Sequence, residues 1–309
     1  MGNRQWARGY RYEMGEKRRN EAKGSPAHSL SPRASSLQRA ESALIIFAKA
    51  PIPGQVKTRL CPPLTPDEAA SLHGSFVLDA MERSQEAGRH GSVTVERFLA
   101  CAPPADHVFF KIMEERHKVR LLRQAGDDLG ARMDQACKEV FALGYQRALL
   151  VGTDVPSLPA SYYGQAISLL ADHDLVLGPS LDGGYYLIGL KRPIPDLFRG
   201  IPWSTDQVFP LTRTKAEALG LKTALLPTCR DVDTIDDLLA LIEQARLEVR
   251  GTRQGAKGKK HDGTHSHTSS LSPLAPCLSL RTASALCLLA SRLKSHASAE
   301  TTENARRNR

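Results

Sequence analysis

The chain has 309 residues and a formal net charge of +9, and that charge is unevenly distributed. The first 43 residues carry about +5 and residues 250–309 about +8, which leaves the stretch between them slightly acidic, at about −4. This distribution argues against nucleic-acid binding by the central part. No run reaches the ~18 apolar residues of a membrane span, so we expect no such span.

Polar sequence without a periodic apolar face flanks the central part on both sides. We therefore predict a disordered basic tail over 1–42, one folded domain over 43–248 and a second disordered basic tail over 249–309. The six cysteines form neither a CxxC pair nor a zinc-binding cluster with histidine. We expect a reducing, cytoplasmic location, while organelle targeting by the N-terminal extension and the oligomeric state stay open.

Strand-like and helix-like stretches alternate through the central part. Strands are predicted at 44–48, 93–102, 119–122, 148–151, 175–177, 185–190 and 221–226. Helices are predicted from residue 65, over 105–117, around 133–141, over 159–171, from residue 205 and over 235–247. This alternation predicts a three-layer α/β fold, with a mostly parallel sheet and helices on both faces.

The stretch ALIIFAKAPIPGQVKTRL, from Ala43 to Leu60, joins a buried strand to a loop with three cations. Its prolines prevent a helix, and Gly54 allows backbone angles that other residues avoid. Ligands of open α/β sheets lie outside the carboxyl ends of the strands, so Lys49 and the run Lys57–Arg59 suit a phosphate group. The loop is not a Walker A motif, because Val56 precedes the lysine. The alternative is a basic surface turn after a core strand.

Aspartates follow three other predicted strands. Asp154, Asp182 and the pair Asp231 and Asp233 should meet at one edge of a parallel sheet. Mg²⁺ and Mn²⁺ favour such oxygen ligands, and Mg²⁺ commonly combines one or two carboxylates with substrate phosphates. Each residue also has a structural alternative: a turn before Pro156 for Asp154, a turn dipeptide for Asp182, and the N-cap of the last helix for Asp233.

Six motifs follow one another in the order AKAPIPGQVKTRL, QAGDDLGARM, LLVGTDVPSL, LGPSLDGGYYLIGL, IPWSTDQV and DVDTIDDL. Over about residues 44–245 they resemble the DUF2064 family, transferases often called arsenosugar-biosynthesis-type glycosyltransferases. The resemblance implies the GT-A-like fold of nucleotide-diphospho-sugar transferases. The chain is also similar to phospholactate guanylyltransferases, whose opening loop has a similar KTRL ending, and to the molybdenum-cofactor and sugar nucleotidyltransferases.

The resemblance assigns roles to particular residues. The nucleotide-binding set is Lys49, Gly54, Lys57, Thr58, Arg59, Gly126, Asp128 and Arg132. The set facing the second substrate is Gly183, Gly184, Tyr185, Trp203 and Ser204. Asp154, Asp231 and Asp233 are the predicted ligands of Mg²⁺ or Mn²⁺, and Asp182, Lys57 and Arg59 are the predicted catalytic residues.

Two reactions fit these motifs. The first is glycosyl transfer from a nucleotide-sugar to a small-molecule acceptor, assisted by a metal ion. The alternative is nucleotidyl transfer, in which a phosphate-bearing small molecule attacks a nucleoside triphosphate. Glycosyltransferases of this fold usually carry Asp-x-Asp, whereas here only Asp154 stands in the sequence Gly152-Thr153-Asp154, which is closer to the nucleotidyltransferases. A third hypothesis, a non-enzymatic nucleic-acid binder acting through the basic tails, predicts strongly salt-dependent binding.

Overall fold

The computed structural model describes residues 40–87, 95–102, 105–244, 246, 278–279 and 281–292. Most of the predicted tail over 1–42, and much of the predicted tail over 249–309, lie outside the described residues. None of the helices within these ranges is long and apolar enough to cross a membrane.

Strands and helices alternate as the sequence predicts. The strands are β1 (Ser42–Ala48), β2 (Val95–Cys101), β3 (Arg120–Arg123), β4 (Arg147–Val151), β5 (Leu175–Pro179), β6 (Tyr185–Leu190) and β7 (Thr223–Leu225). The helices are α1 (Pro66–Ala87), α2 (Val108–His117), α3 (Leu129–Ala142), α4 (Ser161–Leu169), α5 (Pro195–Phe198) and α6 (Val208–Ala218). Two further helical stretches occupy 235–244 and 281–292.

The seven strands form one sheet in the order β3-β2-β1-β4-β6-β5-β7. All neighbouring strands are parallel except β6, which runs antiparallel to β4 and β5. The mostly parallel sheet predicted from the sequence is confirmed. The carboxyl ends of β1, β2, β4, β5 and β7 therefore meet at one edge, and the turn from β5 into β6 lies at that edge as well.

Helices cover both faces of the sheet, because alternate residues of each strand are buried on opposite sides. On one face Ile45 and Leu150 pack with residues of α3, α5 and α6. On the other, Leu44 and Leu149 pack with residues of α4. Alternation of this kind buries both faces of β1 and β4, which explains their continuous apolar sequence. The three-layer architecture is thereby confirmed.

The helical stretch 281–292 differs from the expectation of a disordered tail. Its Leu286 and Ala290 are buried with Leu60 and Phe76 of the region around the β1 loop and α1. Arg281 donates to Glu82 at 2.8 Å. The prediction that the folded part ends at residue 248 is therefore wrong for this stretch, since apolar residues four apart find a partner surface on α1.

Helix α6 begins later than the sequence indicates. Ser204, directly before the predicted helix start at residue 205, has a left-handed backbone (φ 66°). The Thr205 hydroxyl donates to the carbonyl of Pro202 at 2.7 Å and accepts from the backbone N–H of Gln207 at 3.3 Å. These bonds close a local turn, so the helix starts at Val208.

Candidate functional site

The β1 loop, residues 49–65, places its three cations in different surroundings. Lys57 has a left-handed backbone (φ 48°), and a turn of 3-10 helix, Thr58–Leu60, follows it directly. Leu60 is fully buried and anchors this turn. The Lys57 side chain is only 4 % exposed, whereas that of Arg59 is 68 % exposed. A buried ammonium needs a charged partner, which identifies Lys57 as part of an internal cluster.

Two of the predicted metal ligands are those partners. The Lys57 ammonium contacts Oδ1 of Asp154 and lies 3.8 Å from Oδ1 of Asp233. Arg59 Nη1 donates to Oδ2 of Asp233 at 2.7 Å. The structure therefore brings predicted phosphate-binding cations and predicted metal-binding acids into one ion-pair cluster, in which each cation already neutralises a carboxylate.

The loops after β4 and β7 are joined at this cluster. The backbone N–H of Val232 donates to the carbonyl oxygen of Asp154 at 2.9 Å. Desolvation alone would raise the pKa of Asp154, but the ammonium of Lys57, with His73 and Lys49 further away, lowers it below its usual value. Asp154 is accordingly a carboxylate at neutral pH.

Asp233 is not the N-cap of the helical stretch 235–244. Thr234 takes that role, since its hydroxyl accepts from the backbone N–H of Asp237 at 3.3 Å. Asp237 in turn accepts from the backbone N–H of Thr234 at 3.0 Å, the reciprocal pattern of a capping box. The capping alternative for Asp233 is wrong, and its side chain instead faces Lys57 and Arg59.

Two further carboxylates lie beside the cluster. Burial, together with the negative charges of Asp182, Asp237 and Asp154, raises the pKa of Asp231 to about 6. Asp182 stands exposed on the turn between β5 and β6. Its Oδ1 accepts from the Ser180 hydroxyl at 2.5 Å and from the backbone N–H of Gly184 at 2.9 Å. These bonds orient the carboxylate without neutralising it.

The chemistry of this donor set fits Mg²⁺ or Mn²⁺, but the arrangement is not a preformed cage. Carboxylates of Asp154, Asp231 and Asp233 are the oxygen ligands such ions favour, and burial, followed by the charge of neighbouring carboxylates, raises the pKa of Asp231. The Lys57 ammonium, however, already contacts Asp154. Among the described residues, no three His, Cys, Asp or Glu side chains are arranged to hold a metal ion. Metal binding at this edge stays a prediction.

A pocket of about 210 Å³ opens beside the cluster, between the ends of β1 and β2. Lys49, Gln55 and Arg132 supply its polar walls, and Ala102 closes the β2 side. None of the described residues that line it is acidic. Two cations and an amide without a carboxylate make this pocket suited to an anion. Lys49 and Arg132 line it, whereas Lys57 and Arg59 do not.

Other predicted nucleotide-binding residues shape the backbone. Asp128 caps α3, because its side chain accepts from the backbone N–H of Ala131 at 2.7 Å. Gly126 has φ 138°, and a Cβ there would lie 2.7 Å from the Ala131 side chain. The Arg132 side chain donates to the carbonyl of Gly126 at 3.1 Å, which holds the guanidinium beside the pocket. Gly54, with φ 76°, and exposed Thr58 lie on the β1 loop.

The residues predicted to face the second substrate form a packed unit around the turn after β5. A Cβ on Gly183 would lie 2.3 Å from the carbonyl oxygen of Asp206, so glycine is required for this contact. Trp203 packs edge-on against Tyr185, and the indole approaches Gly130 of α3 closely enough to exclude a side chain there. Gly184 hydrogen-bonds Asp182, and Ser204 is exposed beside Trp203. Close packing explains the glycines of this unit, and substrate contact by it stays a prediction.

Sequence reasoning missed His73. This residue lies on α1, is only 4 % exposed, and its Nε2 is 3.1 Å from the carbonyl oxygen of Lys49. Its charge environment includes Asp154 and Lys57. In the sequence it stands between Leu72 and the apolar pair Phe76 and Val77, so only its polarity on a buried helical face could have drawn attention to it.

The chain is similar to several known proteins. The sequence profile of a family described as "Uncharacterized protein conserved in bacteria (DUF2064)" matches residues 88–205. A candidate nucleotide-diphospho-sugar transferase from Desulfovibrio desulfuricans G20, solved at 1.90 Å resolution, is 34 % identical, with a TM-score of 0.60. The match covers 66 % of this chain and 87 % of that one. No curated protein matches the chain.

Two more distant structures also match. A 4-diphosphocytidyl-2C-methyl-D-erythritol synthase from Anaerococcus prevotii DSM 20548 is 12 % identical with a TM-score of 0.43, covering 64 % of this chain and 94 % of that one. A CMP:2-keto-3-deoxy-manno-octonic acid synthetase complexed with CTP is 11 % identical with a TM-score of 0.44, covering 69 % of this chain and 100 % of that one. Likeness at this level carries no argument about activity.

Proposed function

Because the chain belongs to the DUF2064 family of nucleotide-diphospho-sugar transferases, we propose that it is a metal-dependent glycosyltransferase. Its donor is a nucleotide-sugar and its acceptor a small molecule that carries a hydroxyl group. The observation that carries the proposal is the division of one sheet edge into a cationic pocket and a set of carboxylates. A diphosphate needs cations on one side and a site for a divalent ion on the other.

The cationic pocket is proposed to bind the diphosphate. Lys49 and Arg132 offer two positive charges, and the amide of Gln55 offers a further donor. Arg132 is pre-oriented by its bond to the Gly126 carbonyl, which reduces the conformational entropy lost on binding.

The acidic side is proposed to serve the departing group and the acceptor. Mg²⁺ or Mn²⁺ held by Asp154, Asp231 and Asp233 would supply positive charge for the diphosphate as it leaves. Asp182, oriented by Ser180 and Gly184, is the candidate base. The acceptor oxygen forms a bond to the anomeric carbon, the bond from that carbon to the diphosphate breaks, and the hydroxyl proton passes to Asp182.

One observation favours the alternative, nucleotidyl transfer. A single acid, Asp154, follows β4, and a second, Asp233, comes late in the chain and contacts Arg59. In that reaction a phosphate oxygen of the acceptor attacks the α-phosphorus of a nucleoside triphosphate, and pyrophosphate leaves. Lys49 and Arg132 would then hold triphosphate oxygens in the same pocket.

Product analysis tests both reactions on the full chain. The protein is incubated with Mn²⁺ or Mg²⁺ and either UDP-, GDP-, ADP- and dTDP-sugars or the four nucleoside triphosphates, each with a panel of hydroxyl and phosphate acceptors. Release of a nucleoside diphosphate from a nucleotide-sugar supports glycosyl transfer. Pyrophosphate from a triphosphate supports the alternative, and absence of both overturns the two reactions together.

A further inference from the structure

His73 makes one hydrogen bond whose direction fixes the state of its ring. The carbonyl oxygen of Lys49, 3.1 Å from Nε2, can only accept, so Nε2 carries a proton and donates it. Nδ1 is fully buried, and no hydrogen-bond partner for it stands among the described residues. Burial lowers the pKa of His73, and the cations of Lys57 and Lys49 lower it further against the opposing effects of Asp154 and the Lys49 carbonyl. The ring is therefore neutral, with a single proton on Nε2.

The bonded carbonyl belongs to the residue where β1 gives way to the pocket. Lys49 follows the last residue of β1, and its side chain lines the pocket together with Arg132. Next to His73, Gly74 faces the loop at an ordinary packing distance, since a Cβ there would lie 3.5 Å from Pro51. Helix α1 thus supports the start of the loop through one hydrogen bond and neighbouring packing.

A second buried side chain supports the same strand end from the other side. Gln124, directly after β3, donates from Nε2 to the carbonyl of Ala100 at 2.8 Å and to that of Ala48 at 3.4 Å. The carbonyls of Ala48 and Lys49 are consecutive, so Gln124 and His73 hold two successive peptide groups at the end of β1. Lys49 is exposed at this strand end and lines the pocket.

We propose that His73 is a positioning residue for nucleotide binding, because its ring holds the Lys49 carbonyl and thereby keeps the Lys49 ammonium beside Arg132 in the pocket. The inference rests on the proposed function, since it takes the pocket to be the diphosphate site. His73 touches no substrate. Its effect should appear in nucleotide affinity and follow the presence of a donor at this position.

The test uses His73→Met, which keeps the volume but removes the donor, and His73→Gln, whose amide can still donate. His117→Met is the matched control, because His117 is also a buried helical histidine with an unpartnered ring nitrogen, but lies at the end of α2. Affinity for ADP, GDP, UDP and dTDP with Mg²⁺ is measured by calorimetry on the full chain, alongside the melting temperature. If His73→Met does not fold, His73→Asn, too short to reach the carbonyl, takes its place.

We expect His73→Met to weaken binding of the preferred diphosphate about tenfold, the loss of roughly one hydrogen bond, while His73→Gln stays within about threefold of the parent. His117→Met should lower the melting temperature without changing affinity. Equal affinity in His73→Met and parent overturns the inference and leaves the proposed function standing. A fall of affinity in His73→Gln as large as in His73→Met also overturns it. If the parent itself binds none of the four diphosphates, the proposed function fails and the inference falls with it.

Discussion

The two sides of the candidate site use the same kinds of residue in opposite ways. On the acidic side, Lys57 and Arg59 are paired with Asp154 and Asp233, which come from loops far away in the sequence. On the pocket side, Lys49 and its neighbour Arg132 make no salt bridge to any described residue. All three lysine and arginine side chains of the β1 loop stand within eleven residues of one another. Proximity in sequence therefore does not decide which side a cation serves.

The difference concerns the charge that remains available to a ligand. A cation already bonded to a carboxylate contributes little to the field felt by an incoming phosphate, because its partner cancels it at short range. A cation without such a partner keeps its full effect in the pocket. The pocket side therefore presents positive charge to an anion, whereas the charges of Lys57 and Arg59 on the acidic side are largely offset by Asp154 and Asp233.

The largest expected effect follows from Asp154→Asn, which breaks the acidic side. Transfer activity should fall at least 100-fold, since an electrostatic group at the reacting phosphates is lost. Stability should fall as well, because buried Lys57 loses the carboxylate it contacts. Since Asp154 is half exposed, we expect the free energy of unfolding to fall by about 1–2 kcal/mol. Activity assays and thermal denaturation measure the two effects.

A double variant separates these two roles of Asp154. Lys57→Met added to Asp154→Asn removes the buried ammonium, which after the first substitution keeps only the more distant carboxylate of Asp233, 3.8 Å away, so stability should partly recover while activity stays lost. Recovery of activity, or a double variant less stable than either single one, would contradict the pairing of Lys57 with Asp154.

The second-largest effect is expected from removing the helical stretch 281–292, which packs against Leu60 and Phe76. A chain that ends at residue 248 exposes the surface covered by Leu286 and Ala290 and leaves buried Asp79 without the Ser279 hydroxyl, which donates to it at 2.6 Å. We expect the melting temperature to fall by roughly 5–10 °C relative to a chain that ends at residue 292. Differential scanning calorimetry on both chains measures the shift.

Arg281→Met in the full chain is the matched variant, since it removes the charge that lies 3.4 Å from Asp79 without removing the helix. It should lower the melting temperature by less than the truncation does. Equal melting temperatures for the chains ending at 248 and 292 would show that 281–292 contributes nothing to the fold.

A smaller effect, on nucleotide affinity alone, distinguishes the arginine of the pocket side from the arginine of the acidic side. Arg132→Ala should weaken binding of a nucleoside diphosphate about tenfold, the loss of one charge-assisted contact. Arg59→Ala should change it by less than about threefold, because Arg59 is engaged with Asp233. Calorimetric titration compares the two arginine variants with the parent. A larger loss in Arg59→Ala than in Arg132→Ala would reverse the assignment of the two sides.

The position of the aspartates at one edge of the sheet could be predicted from the sequence, but their ion pairs with Lys57 and Arg59 could not. Asp154, Asp182 and Asp233 follow apolar runs that read as strands, and a mostly parallel sheet necessarily gathers such positions at one edge. The contact between Lys57 and Asp154 depends on a left-handed backbone at a non-glycine residue, which no local pattern announces. The composition of β6 likewise does not predict that it runs antiparallel, although the short glycine-rich turn before it is compatible with a hairpin.

The helical stretch 281–292 has apolar residues at helical spacing, but the polar composition of the surrounding tail led to a prediction of disorder. Leu286 and Ala290 keep helical spacing, but about thirty residues rich in Ser, Thr, Lys and Gly separate their stretch from the preceding domain. The burial of His73 could not be predicted, because the carbonyl oxygen that bonds its ring belongs to Lys49, 24 residues away in the sequence. Local periodicity thus yields elements and topology, while long-range side-chain pairing requires the coordinates.

The smallest predicted effect concerns Asp231, whose carboxyl group is partly buried beside other carboxylates. A carboxyl group whose pKa is raised on folding, here to about 6, holds a proton in the folded chain at pH values where the unfolded chain has lost it. The folded state then binds more protons between about pH 4 and 6, so this group lowers stability as pH rises through that window. The penalty is complete above about pH 7 and absent below pH 4.

Asp231→Asn removes that penalty, so the variant should be more stable than the parent at pH 7.5 in the presence of EDTA. We expect about 2–4 °C, a value reduced for the partial exposure of the side chain. At pH 4.5 the difference should shrink towards zero, and adding Mn²⁺ at pH 7.5 should stabilise the parent more than the variant. Asp172→Asn, in the exposed turn after α4, is the control and should show no such trend. An Asp231→Asn advantage that is the same at both pH values would mean that the stabilisation does not come from removing the ionised carboxylate, which would contradict the raised pKa of Asp231 as its cause.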